Sequence, residues 1–104
     1  MLEKNTKKRA VIVTTRTRDL YYGEVSASDA EVIQTMAVRV ARCRHIAYWK
    51  GPVGGITGLA TDGPGPGSRI GGACPSSLVT NVANLHDVTE AARSKFDALA
   101  PYGG

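Results

Sequence analysis

Thirteen residues, Arg39 to Gly51, concentrate what chemistry this chain can do. They hold four cations (Arg39, Arg42, Arg44 and Lys50), His45 and the only tryptophan, Trp49, with no carboxylate among them. Guanidinium groups bind phosphate oxygens in bidentate, charge-assisted pairs. Flat rings such as Tyr48 and Trp49 stack on nucleobases and attract cations. Together these residue types suit a ligand that carries both phosphate and base. The same pattern also describes an ordinary strand with buried rings and a basic, solvated face. Arg69 is a further candidate, because no neighbouring carboxylate claims it. Arg93, on a predicted helix, either reaches a phosphate or pairs with Asp97 four residues on. Tyr22 is a third ring able to stack.

Other chemistry finds little support. The glycine-rich run from Gly51 to Gly72 contains no GxxxxGK[ST], so it is not a P-loop. It is either a long loop or an anion-binding nest of backbone amides. Cys43 and His45 share a face of an extended strand, but no third group orients them as nucleophile and base. The nine carboxylates contain no pair that reads as an acid/base couple, so no catalytic set is expected. No cofactor or metal is expected either, since there is no CxxC and no closely spaced pair of histidines. Cys43 and Cys74 are too few for a disulfide scaffold and too far apart in sequence for a thiol redox motif. Both read as reduced thiols.

The elements that must position these residues follow from pattern. Arg9 to Thr15 is a strand rich in β-branched residues, and Leu20 to Val25 is its hairpin partner across a turn at Arg18-Asp19. Val32 to Val38 reads as a third strand and Arg42 to Trp49 as a fourth, joined by a tight turn near Arg39 to Ala41. Helix is the competing reading of that basic segment. In the strand, alternation puts Arg42, Arg44, Ile46 and Tyr48 on one face and Cys43, His45, Ala47 and Trp49 on the other. Ile56 to Thr61 reads as one helical turn, Asp62 to Gly67 as irregular, and Ser68 to Ile70 as a short strand. Ser77 to Leu85 reads as a strand or a bent strand pair. Asp87-Val88-Thr89-Glu90 has capping-box spacing, and Ala92, Phe96 and Leu99 then form one apolar helical stripe that Pro101 ends.

The expected architecture is a small α+β domain over residues 9–100. It has an antiparallel sheet of five to seven strands, one short helix and a C-terminal helix. Residues 1–8 are expected to be a basic flexible tail carrying Lys4, Lys7 and Lys8, and 101–104 a C-terminal tail. The formal net charge of +4 and the pI near 9.3 favour anionic partners without naming one. No apolar run approaches the ~18 residues of a membrane span, and the polar N-terminus lacks a signal-peptide core. A sheet this small has exposed edges, so self-association is expected.

The order of these motifs resembles a family of small phage and prophage proteins long described as a domain of unknown function. The residues that carry the likeness are Val11-Ile12-Val13-Thr14-Thr15, then Tyr21-Tyr22-Gly23, then Cys43-Arg44-His45-Ile46-Ala47-Tyr48-Trp49-Lys50-Gly51. Gly58-Leu59-Ala60, Gly63, Arg69-Ile70 and the helix start Val88-Thr89-Glu90-Ala91 continue it. The wider group is similar to the Thoeris anti-defence 1 proteins. Those are viral sponges that hold cyclic ADP-ribose isomers made by bacterial TIR-domain enzymes, and some also hold cyclic oligonucleotides, without cleaving them. The resemblance implies a homo-oligomer with pockets between subunits, acting in the cytoplasm of an infected bacterial host. Tyr22, Arg42, Arg44, Tyr48, Trp49, Arg69 and Arg93 would contact the ligand. This chain departs from the pattern at His45, where a second Arg is usual, at Ala47, where an aromatic is common, and in the Pro64 to Gly67 insert. The alternatives are a small basic nucleic-acid-binding module and a structural or interaction protein of the virion.

Overall fold

The computed structural model describes residues 8–51 and 54–102. The basic arm expected at the N-terminus lies, but for Lys8, outside the described residues, as do 103–104.

Strand β1 (Arg9–Thr15) forms a hairpin with β2 (Leu20–Val25), in the register Arg9↔Val25 to Thr14↔Leu20. β1 is buried along nearly its whole length, which is what its run of β-branched residues suits. Val11 and Val13 enter one apolar cluster, while Ala10 and Ile12 enter another on the opposite face. The sheet is therefore covered on both sides.

Helix α1 (Asp29–Thr35) covers the first face and corrects the strand expected at Val32 to Val38. Val32 and Ile33 favour strands. The Ser28-x-x-Glu31 capping box overrides that preference: the Glu31 amide donates to Ser28 Oγ at 3.2 Å and the Ser28 amide to Glu31 Oε1 at 2.9 Å. Met36, in the left-handed region at φ 55°, ends the helix.

Strand β3 (Ala37–Tyr48) follows at once, twelve residues in one piece, so the turn expected at Arg39 to Ala41 does not exist. On one edge β3 pairs with β2. On its other edge it pairs with β5 (Cys74–Thr80) along its first half and with the two-residue β4 (Arg69–Ile70) near its end. β6 (Val82–Asp87) pairs with the far side of β1. Only Asn81, left-handed at φ 56°, separates β5 from β6. Consecutive strands thus sit on opposite edges of a β3-β2-β1 sheet, and the sheet must curl for one residue to span them. The bent strand pair read from the sequence is this corner.

Helices α2 (Gly55–Asp62) and α3 (Glu90–Ala98) cover the second face. α2 contributes Leu59 and Ala60, and α3 contributes the fully buried Phe96, to the cluster around Ile12, Ile46 and Ile70. The N-cap of α3 is Thr89, whose hydroxyl accepts from the Ala92 amide at 3.1 Å, and not Asp87 as the sequence spacing suggests. The molecule is an α+β fold with a six-stranded antiparallel sheet and three helices among the described residues, one helix more than expected.

Candidate functional site

The site begins with an irregularity in β3. Tyr22 pairs with Arg44, but Glu24 pairs with Ala41, so Gly23 faces two residues, Arg42 and Cys43. This is a β-bulge with Arg42 as its left-handed residue, at φ 52°. A Cβ on Gly23 would lie 2.4 Å from Val40 Cγ1 and 2.8 Å from the Ala41 carbonyl. Only glycine lets the bulge close against β2, which gives the Tyr-Gly motif a physical reason. On the other side, Pro75 of β5 has no amide to offer opposite Arg42, and the ladder skips from Ala41↔Ser76 to Cys43↔Cys74.

The extra residue shifts the alternation. Val38, Val40 and Cys43 point into the α1-side cluster, whereas Ile46 joins the α2/α3-side cluster and Arg44 points the same way. Strict alternation therefore fails at the bulge, yet Arg42 and Arg44 border one cavity, Arg42 exposed at its mouth and Arg44 buried.

The two arginines have opposite fates. Arg44 is 7% exposed and its guanidinium is filled by backbone carbonyls. Nε donates to Gly71 O at 2.6 Å, Nη1 to Phe96 O at 2.5 Å, and Nη2 to Leu99 O at 3.0 Å and Ile70 O at 3.3 Å. Burial pulls its pKa below the ordinary arginine value, against the pull of Asp97. It clamps the carbonyl end of α3 to the end of β4, where a cation also meets the negative end of the helix dipole. Arg42 is exposed and has no hydrogen-bond or ion-pair partner among the described residues.

Arg42 borders a cavity of about 270 Å³ that also touches Tyr22, Glu24, Arg44, Arg93 and Asp97. Its other charges are engaged. Arg93 Nη2 lies 2.7 Å from Glu24 Oε2, and its Nε lies 3.7 Å from Asp97 Oδ2. The ion pair with Asp97 expected from the sequence is present, but the shorter one runs across to β2. Tyr22 is 4% exposed, stacks on Phe96 with centroids 4.1 Å apart and planes 7° apart, and donates to Asp97 Oδ1 at 3.0 Å. Burial first, and then that bond, push its phenol well above the usual range. Its ring is packed in protein and has no face left for a base.

The other expected residues form a second group. Arg69 lies over two exposed rings, 5.7 Å from the Tyr48 centroid and 5.3 Å from that of Tyr102. Trp49 is half-buried against the Leu59–Phe96 cluster, so its indole is largely core. The segment after α3 borders both groups: Pro101 touches the cavity, and the Tyr102 amide donates to Ile70 O at 2.8 Å. Residues 101–102, expected as tail, are thus docked.

The Pro-Gly run does not reach the cavity. The Gly65 amide donates to Lys50 O at 2.9 Å and the Lys50 amide to Ser68 Oγ at 2.9 Å, which ties the run to the end of β3. Sequence reasoning missed Glu24, Asp97 and Tyr102. Asp97 was visible only as a partner for Arg93, and nothing local marks Glu24 or Tyr102.

The family described as a domain of unknown function (DUF6948) matches residues 8–96. That match covers most of the chain, which therefore belongs to this family. No curated protein and no solved structure matches it.

Proposed function

We propose that this member of the family is a non-enzymatic binding protein that sequesters a small cyclic nucleotide signal inside an infected bacterium. One observation carries the reading. A guanidinium without a partner, Arg42, is held at the mouth of a cavity whose other charges are paired, by a backbone conformation that disfavours a side chain. Backbone strain of this kind gathers at ligand clamps. The net charge of +4 favours an anionic guest.

The cavity of about 270 Å³ lies just under the ~300–1,000 Å³ of sites that enclose a whole ligand. A cyclic dinucleotide or cyclic ADP-ribose isomer would enter by a phosphate and sugar, with Arg42 on the phosphate. The rest of the guest would be covered by a second subunit, in keeping with a homo-oligomer. Tyr48 and Tyr102 are the rings exposed enough to stack on its base. Sequestration works by stoichiometry and a slow off-rate, so no turnover is required.

A thermal-shift panel of cyclic ADP-ribose isomers, cyclic di- and trinucleotides and short DNA tests this. Stabilisation by one cyclic nucleotide is expected, rising with ligand by mass action. The ligand should be recovered intact after heat denaturation, and a degraded product would overturn sequestration. Arg42→Gly should remove the stabilisation and leave the fold in place. Full binding by that variant would take Arg42 out of the site.

The exposed group of Arg69, Tyr48 and Tyr102 favours a second reading, a single-stranded nucleic-acid surface. Contact with several phosphates of a polymer gives a steep log–log salt dependence, and one small ligand gives a shallow one.

A further inference from the structure

The two cysteines are 31 positions apart in sequence but are direct partners in the β3–β5 ladder, Cys43↔Cys74. Opposed residues of an antiparallel pair have Cα atoms about 4.5–5.5 Å apart and side chains on one face. Disulfides span Cα separations of about 4.4–6.8 Å, so the backbone is already in range. The two side chains share one environment: Cys43 belongs to the α1-side apolar cluster, Cys74 packs against that cluster, and Cys74 Sγ lies 3.0 Å from Ser77 Oγ. Both are free thiols, Cys43 buried and Cys74 half-buried. The residue beside each, Arg42 and Ala73, lines the cavity.

We propose that Cys43 and Cys74 form a modification site, a cross-strand dithiol that a small disulfide such as oxidised glutathione converts to an intramolecular disulfide on the α1-side face of the β3–β5 ladder. The Cys74 thiolate attacks one sulfur of the glutathione disulfide. Its S–S bond breaks, one glutathione thiolate leaves, and Cys74 carries a mixed disulfide. The Cys43 thiolate then attacks Cys74 Sγ and expels the second glutathione. The protein gives up two electrons and two protons, and the oxidant becomes two glutathione thiols. Cys74 goes first because it is the more accessible. Cys43 resolves, slowly, because burial keeps its thiol protonated, with a pKa pushed up to about 11.

The test is intact mass and a proteolytic map of the whole chain, incubated with excess oxidised glutathione and unfolded without reductant. The wild type is expected to lose two hydrogens and yield a Cys43–Cys74 linked peptide. Its thermal midpoint should rise and fall back on reduction. Cys43→Ala should stop at one glutathione on Cys74. Cys74→Ser should stay unmodified while folded. A wild-type chain that keeps both thiols, holds a glutathione adduct without closing, or crosslinks between molecules overturns the proposal. That readout needs no variant to fold.

Discussion

Two arginines separated by one residue show how little a side chain's type says about its task. Arg44 meets four carbonyls and is part of the core's polar frame, whereas Arg42 meets solvent and the cavity. Removing Arg44 leaves those carbonyls buried and short of donors. Arg44→Ala is therefore expected to lower stability by about 3 kcal/mol or more in a urea titration. Arg44→Lys should rescue little, because an ammonium cannot reproduce the planar fork. Arg42→Gly should behave oppositely. Glycine occupies the left-handed region without the ~1–2 kcal/mol that a Cβ costs there, so stability should hold or rise by about 1 kcal/mol in the same titration. Cys43 gives a pH signature. Its thiol is raised by burial from 9.0 to about 11, so between those values the unfolded chain loses a proton that the folded chain keeps. Stability from this group is complete below pH 9 and falls as pH rises toward 11. Under reducing conditions, Cys43→Ala should show a smaller fall than wild type over that range, measured by denaturation at stepped pH.

At the scale of elements, the β2–β3 bulge sets Arg42 at the mouth of the cavity. Gly23 makes it possible, since any Cβ there meets Val40 Cγ1 and the Ala41 carbonyl. Gly23→Ala is expected to cost about 1–3 kcal/mol through overpacking and to move the backbone at Arg42. An amide-shift map should place the perturbation at residues 40–44. Strand β1 and the hairpin were legible because a β-branched run buried on both faces has few other solutions. Helix α3 was legible from its apolar stripe, though its cap lay two residues further on. Helix α1 was misread because Val32 and Ile33 outweighed the capping signal at Ser28 and Glu31. The turn placed at Arg39 to Ala41 is continuous strand, since Val38 and Val40 are buried and nothing near Arg39 breaks the ladder to β5.

For the whole molecule, surface apolar groups cluster by α1. Ile33 is 72% exposed, Leu78 56% and Met36 37%, and the outer edge of β6 is unpaired among the described residues. An unblocked edge beside apolar side chains is where self-association is cheapest. If the chain self-associates through this face, Ile33→Lys should reduce the solution mass to that of a monomer by light scattering, with the folded spectrum intact. A monomeric wild type, or a mass unchanged by the substitution, would count against self-association through this face. No described helix is long and apolar enough to cross a membrane.

What the chain determined by itself was local and periodic: the hairpin, the C-terminal helix, the α+β class, and a cluster of cations and rings suited to a phosphate-bearing guest. Tertiary structure decided which of those cations stays free. It packed Tyr22 on Phe96, turned Arg44 onto carbonyls of two other elements, drew Arg93 to Glu24, and set Cys43 opposite Cys74. Each of these pairings joins residues distant in sequence, through a register that a single inserted residue resets. Local pattern has no access to that register, because it is fixed by the contact of one strand with the next.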